Sequence, residues 1–187
     1  MRIFTIIGRM NHLFSYCPSC GKNTVSFCGG KHWVCSNCGF DMFFNVASSA
    51  GVILYSGNSV LFVKRGREPA KGMLALPGGF IDAGETAEEA CIRECFEETG
   101  IQISPVNYVA SFPNSYEFKN IIYSTCDFFF SSELRLDSIS SISPLDAEEV
   151  EDFEIVKIDS AECIAKLPIA FDSVKKAVTA WYLKTVH

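Results

Sequence analysis

Apolar residues fall along this chain in runs of strand length, punctuated by glycine turns and by stretches with helical spacing. Residues 46–54 and 59–64 read as two strands joined by the hairpin-type turn Tyr55-Ser56-Gly57-Asn58. Leu74-Ala75-Leu76 reads as a short strand that runs into the glycine turn Pro77-Gly78-Gly79. The spacing then predicts a helix over 87–99, with Thr86 and Glu89 fitting a capping box and Gly100 standing where a glycine C-cap belongs. Apolar stretches follow at 106–112 and 121–130, then an acidic loop, a strand at 154–158, a short helix near 161–166 and a longer one near 173–184. On the longer helix Val174, Ala177, Val178, Trp181 and Tyr182 lie close to one stripe. Ser111-Phe112-Pro113-Asn114-Ser115-Tyr116 reads as a turn after a strand. Internal repeats and low-complexity segments are absent from the sequence.

Composition adds a size limit. With 187 residues, 48% hydrophobic and 20% charged, the chain can bury one substantial core and carry a small appendage. The expected organisation is a tail at 1–14, a small module at 15–44 and an α/β domain at 45–187. The apolar run at 3–7 is too short to span a membrane and is broken by Gly8-Arg9, and Met10 is an alternative start. A cytoplasmic protein with no membrane partner is expected. Residues 1–45 carry a net charge of +3 and the remainder −9, within a total of −6.

Cysteine spacing defines the small module. Cys17-Pro18-Ser19-Cys20 and Cys35-Ser36-Asn37-Cys38 are two Cys-x2-Cys pairs, each followed by glycine, with fourteen residues between them. Paired thiolates on tight turns, brought together by a hairpin through Lys31-His32-Trp33-Val34, supply four tetrahedral ligands for a structural Zn²⁺. A disulfide framework is disfavoured by the odd count of nine cysteines. Cys28, Cys91, Cys95, Cys126 and Cys163 read as buried or neutral thiols. The module's scattered cations, Arg2, Arg9, Lys22 and Lys31, form no basic-aromatic stripe. A structural or homodimerising role is therefore favoured over nucleic-acid binding.

The strongest chemistry lies on the predicted 87–99 helix. Glu94, Glu97 and Glu98 stand at i, i+3 and i+4 on one face, where like charges destabilise a helix. A hard divalent cation with oxygen ligands offsets that repulsion, and Mg²⁺ suits a few carboxylates plus water and substrate phosphates. Arg93, four residues before Glu97, can also reach back to Glu85 in the loop.

From Gly79 through Glu85, Arg93-Glu94, Glu97-Glu98 and Gly100-Ile101, the chain resembles the Nudix box at every defined position, with Cys95 in a place usually held by a larger aliphatic. Seven fixed residues at roughly 5–7% frequency would coincide about once in 10⁹ starting positions, which sets aside a solvated acidic helix. The resemblance implies an α/β/α sandwich with a mixed sheet. It also implies Mg²⁺-dependent (or Mn²⁺-dependent) hydrolysis of a diphosphate linkage in a nucleoside diphosphate joined to another moiety. By the same resemblance Glu94, Glu97 and Glu98 hold the metal with the Gly79 carbonyl, Glu85 and Arg93 orient them, Glu94 is the first candidate for general base, and Glu149 is a further carboxylate from the acidic stretch. A zinc ribbon ahead of such a domain resembles the NADH pyrophosphatase branch. Its Ser-Gln-Pro-Trp segment is here Ser111-Phe112-Pro113-Asn114, so NADH and ADP-ribose both remain as nucleotide substrates.

Outside the box, Arg65 and Arg67 are candidates to meet a substrate phosphate, against a solvated loop. Phe112 and Tyr116 are candidates to stack on a base, against a role in the core. His12, His32 and His187 have no catalytic context. A second function class is a ligand sensor with a Nudix-like domain, whose ribbon contacts a partner or nucleic acid. Retention of Glu85, Glu94, Glu97 and Glu98 favours the enzyme.

Overall fold

Three short antiparallel strands, β1 (Val25–Cys28), β2 (His32–Cys35) and β3 (Asp41–Phe43), begin the computed structural model, which describes residues 14–119, 121–134, 144–145 and 147–185. Their order is β1-β2-β3, with Phe27 opposite Trp33 and Trp33 opposite Met42. Trp33 is buried, its ring edge-on to Phe14 at 5.0 Å and to Phe44 at 5.6 Å and tilted against Phe27 at 4.8 Å. This aromatic cluster is a small core for so short a segment. The unit it belongs to comprises Met1–Val46 and Glu117–Tyr123. Met10, His12 and His187 lie outside the described residues, and His32 bonds Asp41 at 2.6 Å.

The second unit, Ala47–Tyr116 with Ser124–His187, holds a seven-stranded mixed sheet. In chain order its strands are β4 (Ala47–Ser56), β5 (Ser59–Arg65), β6 (Leu74–Ala75), β7 (Gly78–Phe80), β8 (Asn107–Phe118), β9 (Ile121–Glu133) and β10 (Val150–Lys157). The spatial order is β10-β5-β4-β9-β8, with β6 on β5 and β7 on β4. Strand β4 runs antiparallel to β5 and β7 and parallel to β9.

Alternation along β4 and β5 creates the layers. Val52, Leu54 and Leu61 face helix α1 (Ala87–Thr99), packing with Ala90, Cys91, Cys95 and Phe130. Ile53, Val60 and Phe62 point the other way, onto helices α2 (Ala161–Lys166) and α3 (Asp172–Thr185). There they meet Ile164 and the stripe Val174, Ala177, Val178, Trp181 and Tyr182. A sheet buried on both faces by helices is an α/β/α sandwich. Each fully buried aliphatic side chain in it contributes about 1.5–3 kcal/mol of transfer free energy.

One expectation is corrected here. Residues 111–116 are not a turn: β8 runs through them without a break. Strand β8 is last in the sheet order, and an edge strand tolerates Pro113, which has no N–H to give to a neighbour. Phe112 is half-buried and packs against the core beside Phe129, ring centroids 6.4 Å apart, one of the two roles the sequence left open for it.

Candidate functional site

Helix α1 starts on the capping box that the sequence predicts. The Thr86 hydroxyl accepts the Glu89 N–H at 3.2 Å and the Glu89 carboxylate accepts the Thr86 N–H at 2.9 Å. Gly100 closes the helix in the left-handed conformation, donating its N–H to the Phe96 carbonyl at 2.8 Å. Pinned at both ends, the helix presents Arg93, Glu94, Glu97 and Glu98 to a cavity of about 380 Å³. Cys95 lies on the opposite, fully buried side, where its small volume fits against the sheet.

Arg93 is the hub of this face. Its Nε and Nη2 donate to the two oxygens of Glu85 at 2.7 and 2.9 Å, and its Nη1 donates to Glu94 at 2.8 Å and Glu97 at 2.9 Å. A further bond from Nη2 reaches the Phe80 carbonyl at 3.2 Å. The Arg93 bonds, then the Asp82 N–H, hold the Glu85 carboxyl down to about 2. Glu94 is pushed above the usual carboxylate range, chiefly by burial, although Arg93 opposes the shift.

Glu98 is the most constrained of the three. It is 7% exposed, accepts the Gly78 N–H at 3.0 Å, and its pKa is pushed up to about 8, first by burial and then by the charges of Glu94 and Glu149. A carboxylate this deep needs positive charge nearby to ionise at neutral pH. The glutamates thus line one wall without converging; among the described residues only the cysteine set described below is gathered tightly enough to surround an ion.

Backbone approach is tightest at the glycine turn. A Cβ on Gly78, whose φ is +152°, would lie 2.2 Å from the Ala50 carbonyl oxygen; one on Gly79 would lie 2.5 Å from Glu94 Oε1. Any side chain at 79 would therefore displace the carboxylate. Strand pairing of Gly79 with Ala50 on β4 holds the turn against α1.

Residues from other elements complete the cavity. Arg65 lies with its guanidinium 5.1 Å from the centre of the Phe171 ring, while its Nε donates to the Pro69 carbonyl at 2.7 Å. Arg67 pairs with Glu149 across the rim. The 147–149 turn that carries Glu149 is held by the Gly66 N–H, which donates to the Glu149 carbonyl at 2.8 Å. Tyr116 lines the cavity between Phe80 and Phe171, with centroids at 5.6 and 6.1 Å. Phe112, the other aromatic candidate, is not in the lining. Asn114, Phe171 and a buried Asp127 are in it and were not singled out from the sequence. A lone acidic residue amid Cys126 and Phe128–Phe130, in an otherwise apolar run, was the signal for Asp127.

In the N-terminal unit the ligand atoms of Cys17, Cys20, Cys35 and Cys38 all lie within 4.8 Å of one another, as four ligands of a tetrahedral metal site require. Gly21 and Gly39 donate their N–H groups to the Cys17 and Cys35 carbonyls, closing the two turns. The Thr24 hydroxyl, 3.1 Å from Cys35 Sγ, is the main influence holding that thiol down to about 6. Cys38 moves the other way: against the Phe40 N–H, burial and the neighbouring thiols push it up to about 11. A metal binds each of the four as thiolate.

Comparison with known proteins bears on the second unit. The NUDIX domain model matches residues 46–182. The chain is 34% identical over 124 residues to the NAD-capped RNA hydrolase NudC of Haemophilus influenzae, a match covering 60% of this chain and 47% of that protein. It is 44% identical over 62 residues to the ADP-ribose pyrophosphatase of Methanocaldococcus jannaschii, covering 33% of this chain and 37% of that one. Each match thus spans less than half of the relative's own length. Among solved structures, a NUDIX hydrolase from Nitrosomonas europaea superposes with a TM-score of 0.60 at 22% identity, covering 91% of both chains. The NUDIX domain of Shewanella oneidensis NrtR, complexed with ADP ribose, does so with a TM-score of 0.60 at 19% identity, covering 76% of this chain and 91% of that one. At these identities the shared property is the fold.

Proposed function

The chain belongs to the Nudix family, and from that premise we propose that it hydrolyses the diphosphate linkage of a nucleoside diphosphate joined to a second moiety, with NADH- or ADP-ribose-type substrates. The observation that carries this reading is one cavity lined by Glu94, Glu97 and Glu98 on one side and by Arg65, Arg67 and Tyr116 on others. Its volume suits a nucleotide-sized ligand.

In this reading Glu94, Glu97 and Glu98, with the Gly79 carbonyl, hold Mg²⁺ or Mn²⁺. The fit rests on Glu98, a buried carboxylate whose ionisation near neutral pH calls for a cation. A bound divalent ion supplies charge compensation for the phosphate oxygens and lowers the pKa of water. Arg93 bridges Glu94 and Glu97 through one nitrogen and offsets their repulsion, and Glu85 holds Arg93 in that position. Arg65 and Arg67 orient the diphosphate, and Glu94 accepts the proton of the attacking water. Glu149, on the rim, serves as the further carboxylate. Tyr116 offers an aromatic face to a base. The four cysteines hold a structural Zn²⁺, and the ribbon has a structural or homodimerising role. No described helix is long and apolar enough to cross a membrane; the proposed compartment is the cytoplasm.

A screen of NADH, ADP-ribose, nucleoside triphosphates, diadenosine polyphosphates and sugar nucleotides, with Mg²⁺ and then Mn²⁺, tests the reading. We expect AMP as the product released from NADH and ADP-ribose. Absence of diphosphate cleavage across the set would turn the assignment toward a ligand sensor.

A further inference from the structure

Asp127 is a buried carboxylate that the mechanism above does not use. It is 7% exposed, and no lysine or arginine among the described residues forms an ion pair with it. Three hydroxyls from three elements donate to it, each at 2.7 Å: Ser49 of β4 and Thr125 of β9 to Oδ1, and Ser173 of α3 to Oδ2. A carboxylate offers about four acceptor positions, so Oδ2 retains one. Ser49, Thr125 and Asp127 line the cavity, whereas Ser173 is not in its lining. Because both lining hydroxyls commit their protons to Asp127, their oxygens are left to act as acceptors. The side chains of Ser49, Thr125 and Asp127 can therefore receive hydrogen bonds and have none to give.

The surroundings indicate what would approach it. Phe129, Phe171 and Val174 line the same cavity, which suits a flat ring. Arg65, stacked on Phe171, marks the side toward the phosphates. A purely structural tie between β4, β9 and α3 would need no charge, since a neutral amide can bond the same hydroxyls.

Resting on the diphosphate reading, we propose that Asp127 is the specificity-determining residue of the cavity's ring-binding end, accepting a hydrogen bond from an N–H₂ group on the substrate's base. Two bases of the substrate class carry such a group: adenine as an exocyclic amine and nicotinamide as a carboxamide. Rings with an oxo group or a carboxylate at that place would set acceptor against acceptor, and a site built for a donor rejects such analogues strongly.

The test compares two pairs of substrates on the wild-type protein: ADP-ribose with its hypoxanthine counterpart, and NADH with its nicotinic acid counterpart. At least one pair should show a preference of about tenfold or more in kcat/KM for the N–H₂ member, and the pair that does so identifies the ring at Asp127. In Asp127→Asn, with unchanged Tm, that preference should fall below about threefold, because the amide presents both a donor and an acceptor. Equal use of both members of each pair by the wild type would overturn the proposal. So would an Asp127→Asn variant that loses activity while keeping the wild-type preference. Should that variant fail to fold, Thr125→Val provides the second arm and should weaken the preference in the same direction. Should no diphosphate be cut, the reaction assignment falls, and calorimetry decides this inference separately. Binding of AMP over IMP, or of nicotinamide mononucleotide over its acid, by about tenfold would sustain it, and equal binding within both pairs would overturn it.

Discussion

Glu98→Gln is expected to lower turnover by a factor of about 10² or more while making the Mg²⁺-free protein more stable at alkaline pH. The loss of rate follows from removing a charge, without a change of volume, from the face proposed to hold the metal. The gain in stability comes from the same burial. In the unfolded chain this carboxyl deprotonates near 4.5, whereas in the fold it keeps its proton up to about 8. Its contribution to stability is therefore fully present below 4.5 and is lost as pH rises through 8, a swing of roughly 2–5 kcal/mol. Glutamine keeps an acceptor for the Gly78 N–H and has no proton to lose. Thermal unfolding from pH 4.5 to 9, with Mg²⁺ withheld and the cysteine site left loaded, should show a steeper alkaline decline in the wild type than in Glu98→Gln. Glu97→Gln should share the kinetic defect and not the stabilisation, because the Glu97 side chain is 55% exposed. Near-normal turnover of either variant at saturating Mg²⁺ would remove that residue from the metal shell.

Cys35→Ser is expected to release the zinc and unfold the N-terminal unit. The purified wild-type protein should carry about one zinc per chain, held by Cys17, Cys20, Cys35 and Cys38. Three short strands and one buried tryptophan are a small core, and modules of this kind couple metal binding to folding. Loss of the metal should therefore expose Trp33, which a red shift in tryptophan fluorescence would report. Elemental analysis that finds no zinc in freshly prepared, reduced wild-type protein would contradict this account.

The elements legible in the sequence were those with strong local signals. Helix α1 is bracketed by Thr86, Glu89 and Gly100, each with a mechanism, and the structure places it at Ala87–Thr99. The stripe on α3 and the β4–β5 hairpin follow from periodicity and from Gly57. Edge strand β8 was harder. Pro113 and Asn114 are turn residues by local propensity, and only the strand's place at the end of the sheet makes them acceptable. Phe112 and Tyr116 lie four residues apart on that strand and could not be told apart by local pattern; the fold turns one to Phe129 and the other to Phe80 and Phe171. The Asp127 network was hidden for a different reason. Its hydroxyl partners at 49 and 173 are far away along the chain, and such pairings follow from tertiary structure alone.

The central claim concerns the diphosphate and what flanks it. Binding energy from a second sugar-bearing group can orient the diphosphate, so substrates lacking that group should lose kcat as well as affinity. The most direct measurement is kcat/KM for NADH, ADP-ribose and ATP, side by side at saturating Mg²⁺, with products identified. The account predicts that NADH or ADP-ribose exceeds ATP by at least about tenfold, or ~1.4 kcal/mol in transition-state binding, and yields AMP. A nucleoside triphosphate emerging as the best substrate would contradict it.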